Sequence, residues 1–245
     1  STLFPYTTLF RSGRRIKKVQ TDFVASWENS TIFIPAKEVL SLFQIILKSR
    51  EQDHLFGFDD TYLDLVRALG IPPRRGKNSQ AFAEGRQHLA EIINGRAIYD
   101  EGKKLWYFKQ RNNAIFAVGI LAEGIKKLAI FDQLLANHYL SPQSIIFIDE
   151  PESSLHPQVV SAFMELLYTL AKNGMQIFMA THSYFVLKKL YLIAQREAYA
   201  IPFLGLHKEE NGRLQYDDMQ HGMPENSIIE ESIRLYRRPD RKSVV

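Results

Sequence analysis

Residues 144–157 read SIIFIDEPESSLHP, a short apolar run that ends in Asp149-Glu150 and breaks at Pro151. A second apolar run, Met175 to Ala180 (MQIFMA), ends in Thr181-His182-Ser183. Short apolar runs bounded by turn residues read as buried strands, and two of them separated by a helical pattern read as parallel neighbours. Two adjacent carboxylates at a strand end suit phosphoryl transfer, since one can hold Mg²⁺ and the other can polarise a water. Turn chemistry alone also places acidic residues after strands. A turn, however, needs only one of them.

Working outward, the alternation continues on both sides. A strand over 145–148, a helix over 158–172, a strand over 177–180, a helix over 184–195 and a strand over 202–207 call for an α/β fold with a mostly parallel sheet and covering helices. Upstream, residues 30–35 (STIFIP) read as a strand and 37–48 as a helix. Residues 61–69 and 79–93 have helical spacing on either side of Pro72-Pro73, and form a helical insertion. Residues 96–99 and 104–108 form a hairpin about Asp100-Glu101-Gly102, and Asn211-Gly212 marks another turn. A final helix spans 227–237. Phe116, Phe131, Phe163 and Phe178 sit in apolar runs and are expected in the core.

Ile120 to Leu128 (ILAEGIKKL) opens an amphipathic helix at Ala122-Glu123-Gly124. In this order the segments resemble the nucleotide-binding heads of ABC and SMC-type ATPases. The chain is similar to the AAA-family ATPases of bacterial defence and repair systems, most clearly over residues 111–239. That resemblance implies a P-loop NTPase-like fold with ATP and Mg²⁺ as cofactors. It makes Asp149 the Walker B magnesium ligand, Glu150 the general base and His182 the histidine that senses the γ-phosphate. Residues 153–156, with Ser154 and His156, become the D-loop, and Ala122, Glu123 and Gly124 become the signature that meets ATP held by a second copy. Ala122 replaces the usual serine, which removes a hydroxyl donor, while Glu123 adds a negative charge near phosphate. The family further implies a nucleotide-sandwiched homodimer that gates an effector protein, with DNA as a further candidate partner and a cytoplasmic location.

No G-x-x-x-x-G-K-[ST] occurs in the sequence, and Gly76-Lys77 lies in a basic turn (PPRRGKN) without the required spacing. The two ends offer an explanation. Thr2 to Ser12 (TLFPYTTLFRS) and Asp240 to Val245 (DRKSVV) are what a common sequencing adapter and its reverse complement encode. Residues 1–12 and 240–245 are therefore expected to be read-through. Residues 13–239 would then be a partial ABC-like ATPase domain whose P-loop lobe was not captured, inactive by itself. The insertion and hairpin would occupy about residues 50–110 of it. Removing Arg11, Asp240, Arg241 and Lys242 leaves 28 basic against 26 acidic residues, a net charge of +2. So small a balance gives no general warrant for nucleic-acid binding. The basic runs at 14–18 and 74–77 read as solvated surface first and as DNA contacts second.

Cysteine is absent, which excludes disulfides, thiol catalysis and cysteine-based zinc sites. No run of 18 apolar residues exists, so no membrane-spanning helix is expected. Two other readings stay open. One is a degenerate, non-hydrolytic head that serves as a structural partner. The other is a hydrolase built on Ser183 and His182, disfavoured by the lack of G-x-S-x-G. Some resembling ATPases, of the overcoming-lysogenization-defect type, carry a C-terminal Toprim nuclease. The roughly fifty-five residues after His182 are too few for such a domain, so Asp217-Asp218 reads as turn chemistry.

Overall fold

The computed structural model describes residues 30–55, 57–74, 76, 79–206 and 214–237. The adapter-like ends, the basic run at 14–18, Arg75, Lys77 and the Asn211-Gly212 turn lie outside the described residues. Three sheets organise the chain, and the parallel one carries the site. Its strands β1 (Thr31–Ile34), β5 (Ile145–Asp149) and β6 (Gln176–Ala180) run in the order β1-β5-β6. Ile146 stands opposite Ile32 and Ile177, and Asp149 opposite Ala180. The expected α/β class with a parallel sheet and flanking helices is thus what the chain adopts.

Because successive side chains alternate faces, Ile32, Ile34, Ile146 and Ile148 all point into the core, where they are almost fully buried. The opposite face carries Phe147 and Phe178, stacked with ring centroids 4.9 Å apart and planes at 14°. Phe178 is 53% exposed, which corrects its assignment to the core. Phe116 is only half-buried, whereas Phe131 and Phe163 are fully buried and meet edge-to-face at 4.8 Å.

The helices cover one side of this sheet. After β1 the chain turns before α1 (Phe43–Leu47) begins, and a π-helical turn (Lys48–Gln52) extends it. The helix thus starts six residues later than its apolar spacing suggests. The Glu38 carboxylate accepts from the Ser41 N–H at 3.1 Å and Leu42 N–H donates to the Val39 carbonyl, so a local turn outcompetes the first helical turn. Helix α2 (Asp60–Gly70) starts at Asp59, whose carboxylate accepts from the N–H groups of Thr61 and Tyr62. Helices α3 (Gln80–Ile92) and α4 (Glu123–Ala136) pack together, with α5 (Pro157–Lys172) against α3 and α6 (Tyr184–Glu197) against α5.

Between α3 and α4 runs an antiparallel meander, β2 (Gly95–Asp100), β3 (Leu105–Gln110) and β4 (Ile115–Ala117). The hairpin agrees with the expectation; the third strand was not foreseen. It follows a turn in which Asn113 takes φ +67 and the Asn112 carboxamide oxygen accepts from Ala114 N–H. Strand β7 (Pro202–Leu206) does not extend the parallel sheet. It pairs antiparallel with β8 (Leu214–Asp218) in a separate ribbon, ahead of α7 (Ser227–Arg237). Asp217 and Asp218 both lie within β8 rather than in a turn, although one Asp218 oxygen accepts from the Ile201 and Gln220 N–H groups where the strand gives way to the next turn. Among the described residues, no helix is long and apolar enough to cross a membrane.

Candidate functional site

The site forms where β5 and β6 end side by side. Glu150 N–H donates to the Ala180 carbonyl at 2.8 Å, extending the strand ladder by one residue. The backbone then turns sharply, with Glu150 at φ +45 and Ser154 at φ +62. Left-handed backbone at a residue bearing a side chain costs about 1–3 kcal/mol and persists where neighbours enforce it. Here Pro151 disfavours a right-handed helical conformation at Glu150. Ser153 N–H and Leu155 N–H donate to the Glu150 and Glu152 carbonyls, each at 3.0 Å, and close the turn.

This turn brings the Glu150 carboxylate to 3.2 Å from His182 Nδ1, just beyond β6. His182 is largely exposed and Glu150 partly so, open to a ligand and to water. Asp149 lies beside them at the end of β5 and is half-buried. Its carboxylate takes no hydrogen bond among the described residues. Its charge reaches Tyr62 on α2, whose phenol is pushed up by burial, then by Asp59 and Asp149. Among the described residues, no three His, Asp or Glu side chains gather as a metal cage. A single open carboxylate nonetheless fits Mg²⁺, which commonly takes one or two carboxylates and completes its shell with phosphates and waters.

The neighbouring segments are placed as follows. Ala122 caps α4 without a side-chain hydrogen bond, and Glu123 is exposed and paired to Lys126 at 2.8 Å. Gly124 is buried against the turn. A Cβ there would stand 2.5 Å from the Ser154 carbonyl oxygen and 2.8 Å from Leu155 Cδ2. Gly124 and Ser154 are thus in contact within one chain. His156 is the N-cap of α5, its Nδ1 accepting from Gln158 N–H at 3.3 Å ahead of Pro157 in the first turn. Arg74 lines a cleft with Arg86 and His138, but Arg86 is already paired to Asp132 at 3.1 Å.

The sequence reading gave no role to several polar residues near the site. Lys127, 2% exposed, donates to the Glu150 carbonyl and to Ser153 Oγ. Burial lowers its ammonium to about 8, opposed by the charges of Glu152, Glu150 and Asp149. Thr181 Oγ1 donates to Glu152 Oε1 at 2.8 Å and accepts from Ser183 N–H at 3.1 Å, linking the two strand ends. Lys126 pairs with Glu38 at 3.3 Å, both side chains buried. The available signal was the pair Lys126-Lys127 ahead of the apolar run 128–131 of α4, and both of these lysines are buried.

Comparison with known proteins gives three results. A family model described as "AAA domain, putative AbiEii toxin, Type IV TA system" matches residues 9–188. The Old nuclease of Escherichia phage P2 is 48% identical over 40 residues, 16% of this chain. The chain spans 7% of the length of that curated relative. Among solved structures, an Smc head domain from Pyrococcus furiosus, with an extended coiled coil and bound to the C-terminal domain of ScpA, is 15% identical. It covers 79% of this chain and 43% of that one at a TM-score of 0.42. The SMC head domain from Thermotoga maritima is 17% identical and covers 57% and 48%, with a TM-score of 0.36.

Proposed function

The chain belongs to the AAA-domain family matched over residues 9–188, and from that premise we propose that it carries part of the hydrolytic site of an ATPase. The reading rests on one observation: Asp149 closes β5 opposite Ala180 of β6, and just past these two parallel strand ends Glu150 and His182 stand 3.2 Å apart. Ligands of α/β sheets bind beyond such strand ends. Asp149 would hold Mg²⁺, which supplies charge neutralisation on the phosphates when bound. Glu150 orients the attacking water and takes its proton as the oxygen approaches the γ-phosphorus, while the bond to the bridging oxygen breaks. His182 hydrogen-bonds a γ-phosphate oxygen or that water.

In the same reading, ATP joins two copies. The start of α4, with Ala122, Glu123 and Gly124, and the turn with Ser154 and His156 face the partner's nucleotide. Helix N-termini favour anions, and Glu123 and the absent serine hydroxyl weaken that contact. Opening and closing of the pair would gate an effector protein of defence or DNA repair, with DNA as a second partner. A cytoplasmic location goes with this reading.

Turnover in the full-length protein is the test. Glu150→Gln should lower kcat by about 100-fold or more, the scale of a lost general base, while ATP binding is retained and the dimer becomes long-lived in size-exclusion chromatography with light scattering. Absence of turnover in the parent protein would favour the non-hydrolytic partner, with Asp149 and Glu150 as inherited scaffold, whereas unchanged turnover in the variant would mean that Glu150 is not the base. Having no phosphate loop in its sequence, the 245-residue chain by itself should bind ATP weakly or not at all. Micromolar affinity by calorimetry would contradict that.

A further inference from the structure

The ammonium of Lys127 is buried directly beneath the turn that carries Glu150. It leaves α4 in the second turn of the helix, where burial of a charge is tolerated only if its donors are used. Both known partners belong to that turn. One is the Glu150 carbonyl and the other is Ser153 Oγ at 2.8 Å. Ser153 Oγ in turn donates to the Ala36 carbonyl at 2.9 Å, just after β1. The lysine therefore ties α4, the end of β5 and the end of β1 to a single point.

Glu150 needs such a tie. Its φ of +45 belongs to the left-handed region, and besides the following Pro151 it is hydrogen bonds to its own peptide groups that hold it there. The N–H is anchored on Ala180, and the carbonyl accepts from both Ser153 N–H and Lys127. We propose that Lys127 is a positioning residue: it fixes the left-handed Glu150 peptide, and thereby keeps the Glu150 carboxylate aimed at the space shared with His182 and Asp149. Lys127 touches no nucleotide atom in this scheme. It acts through the backbone of the residue that does. The inference rests on the reading of Glu150 as the base and adds the group that sets its geometry.

Amide hydrogen exchange and steady-state kinetics test this together. Lys127→Met keeps the side-chain volume and removes the charge, and Ser153→Ala is a milder change that cuts the link to Ala36. In both variants the amides of residues 150–155 should exchange about tenfold faster or more, as expected for losing a hydrogen bond to a charged group. Amides of α5 and β6 should keep their rates. In the full-length protein kcat should fall by a similar factor, with KM for ATP within about twofold, because the lost geometry matters in the transition state. Unchanged exchange at 150–155 in either variant would overturn the proposal, as would equal loosening of α5 and β6. Full turnover in Glu150→Gln would remove the base assignment and the catalytic consequence with it. The exchange measurement still reports separately on the tether.

Discussion

Gly124 shows how one hydrogen atom can be a structural requirement. The resemblance to ATPase heads suggests a glycine there so that phosphate can approach. The structure adds a second cause, because the Ser154 carbonyl occupies the place where a Cβ would stand, at 2.5 Å. A carbonyl in a closed turn cannot swing aside as a flexible side chain can. Gly124→Ala should therefore cost about 1–3 kcal/mol, the usual range for overpacking, and should raise hydrogen exchange at residues 150–155. Urea unfolding measures the first effect, and unchanged stability would contradict the close approach. The placement of Asp149, Glu150 and His182 at or just past the ends of two strands was legible in sequence because each closes or follows an apolar run, and position relative to a strand is a local property. Lys127 was not, since a lysine on a helix normally reads as solvated. Its burial is decided by the turn from the end of β5 and by the loop after β1, which lie far from it in sequence.

Helix contacts obey the same division between local and distant causes. Helices α2, α3 and α4 could be read from periodicity, as could the parallel pairing of β5 with β6 and the β2–β3 hairpin, but the pairing of β7 could not. Strand β7 has an apolar pattern that suits a parallel sheet, yet β8 lies a short connection away and pairs with it first. The α3–α4 contact contains the pair Arg86–Asp132, in which Arg86 is one-third exposed, Asp132 is buried, and burial pushes the Asp132 carboxyl up against the pull of Arg86. Arg86→Met should lose about 3–5 kcal/mol, the cost of a buried charge left without its partner. Arg86→Met/Asp132→Leu should recover much of it, and no recovery would mean that the pair sets the contact by shape. The α5–α6 contact holds Glu165 between Arg196 and Lys189. Chiefly through the Arg196 hydrogen bonds, its carboxyl drops to about 2. The folded state then binds fewer protons than the unfolded chain between about pH 2 and 4.5, so the stabilisation is present above that window and fades as pH falls through it. Urea unfolding of Glu165→Gln should show a smaller loss of stability than the parent chain across this range. Parallel slopes would mean that the ion pairs contribute nothing to folding.

Across the molecule, the parallel sheet is packed on one face only among the described residues. The packed face joins Ile32, Ile34, Ile146 and Ile148 to the helices, with Phe131 and Phe163 meeting behind it. The other face presents Phe147 and Phe178 as a stacked pair. Parallel sheets usually bury both faces, and from the apolar run alone the two faces look alike, which is why Phe178 was misplaced. The distinction has an energetic consequence. Phe163→Ala should lose about 3–5 kcal/mol, as for a large side chain removed from a packed core. Phe178→Ala should lose under about 1 kcal/mol, since half of its surface already meets water and little cavity forms. Urea unfolding of the single variants checks both. A loss at Phe178 as large as at Phe163 would mean that the open face is covered in solution, with the stacked aromatics forming part of a second buried layer above the site.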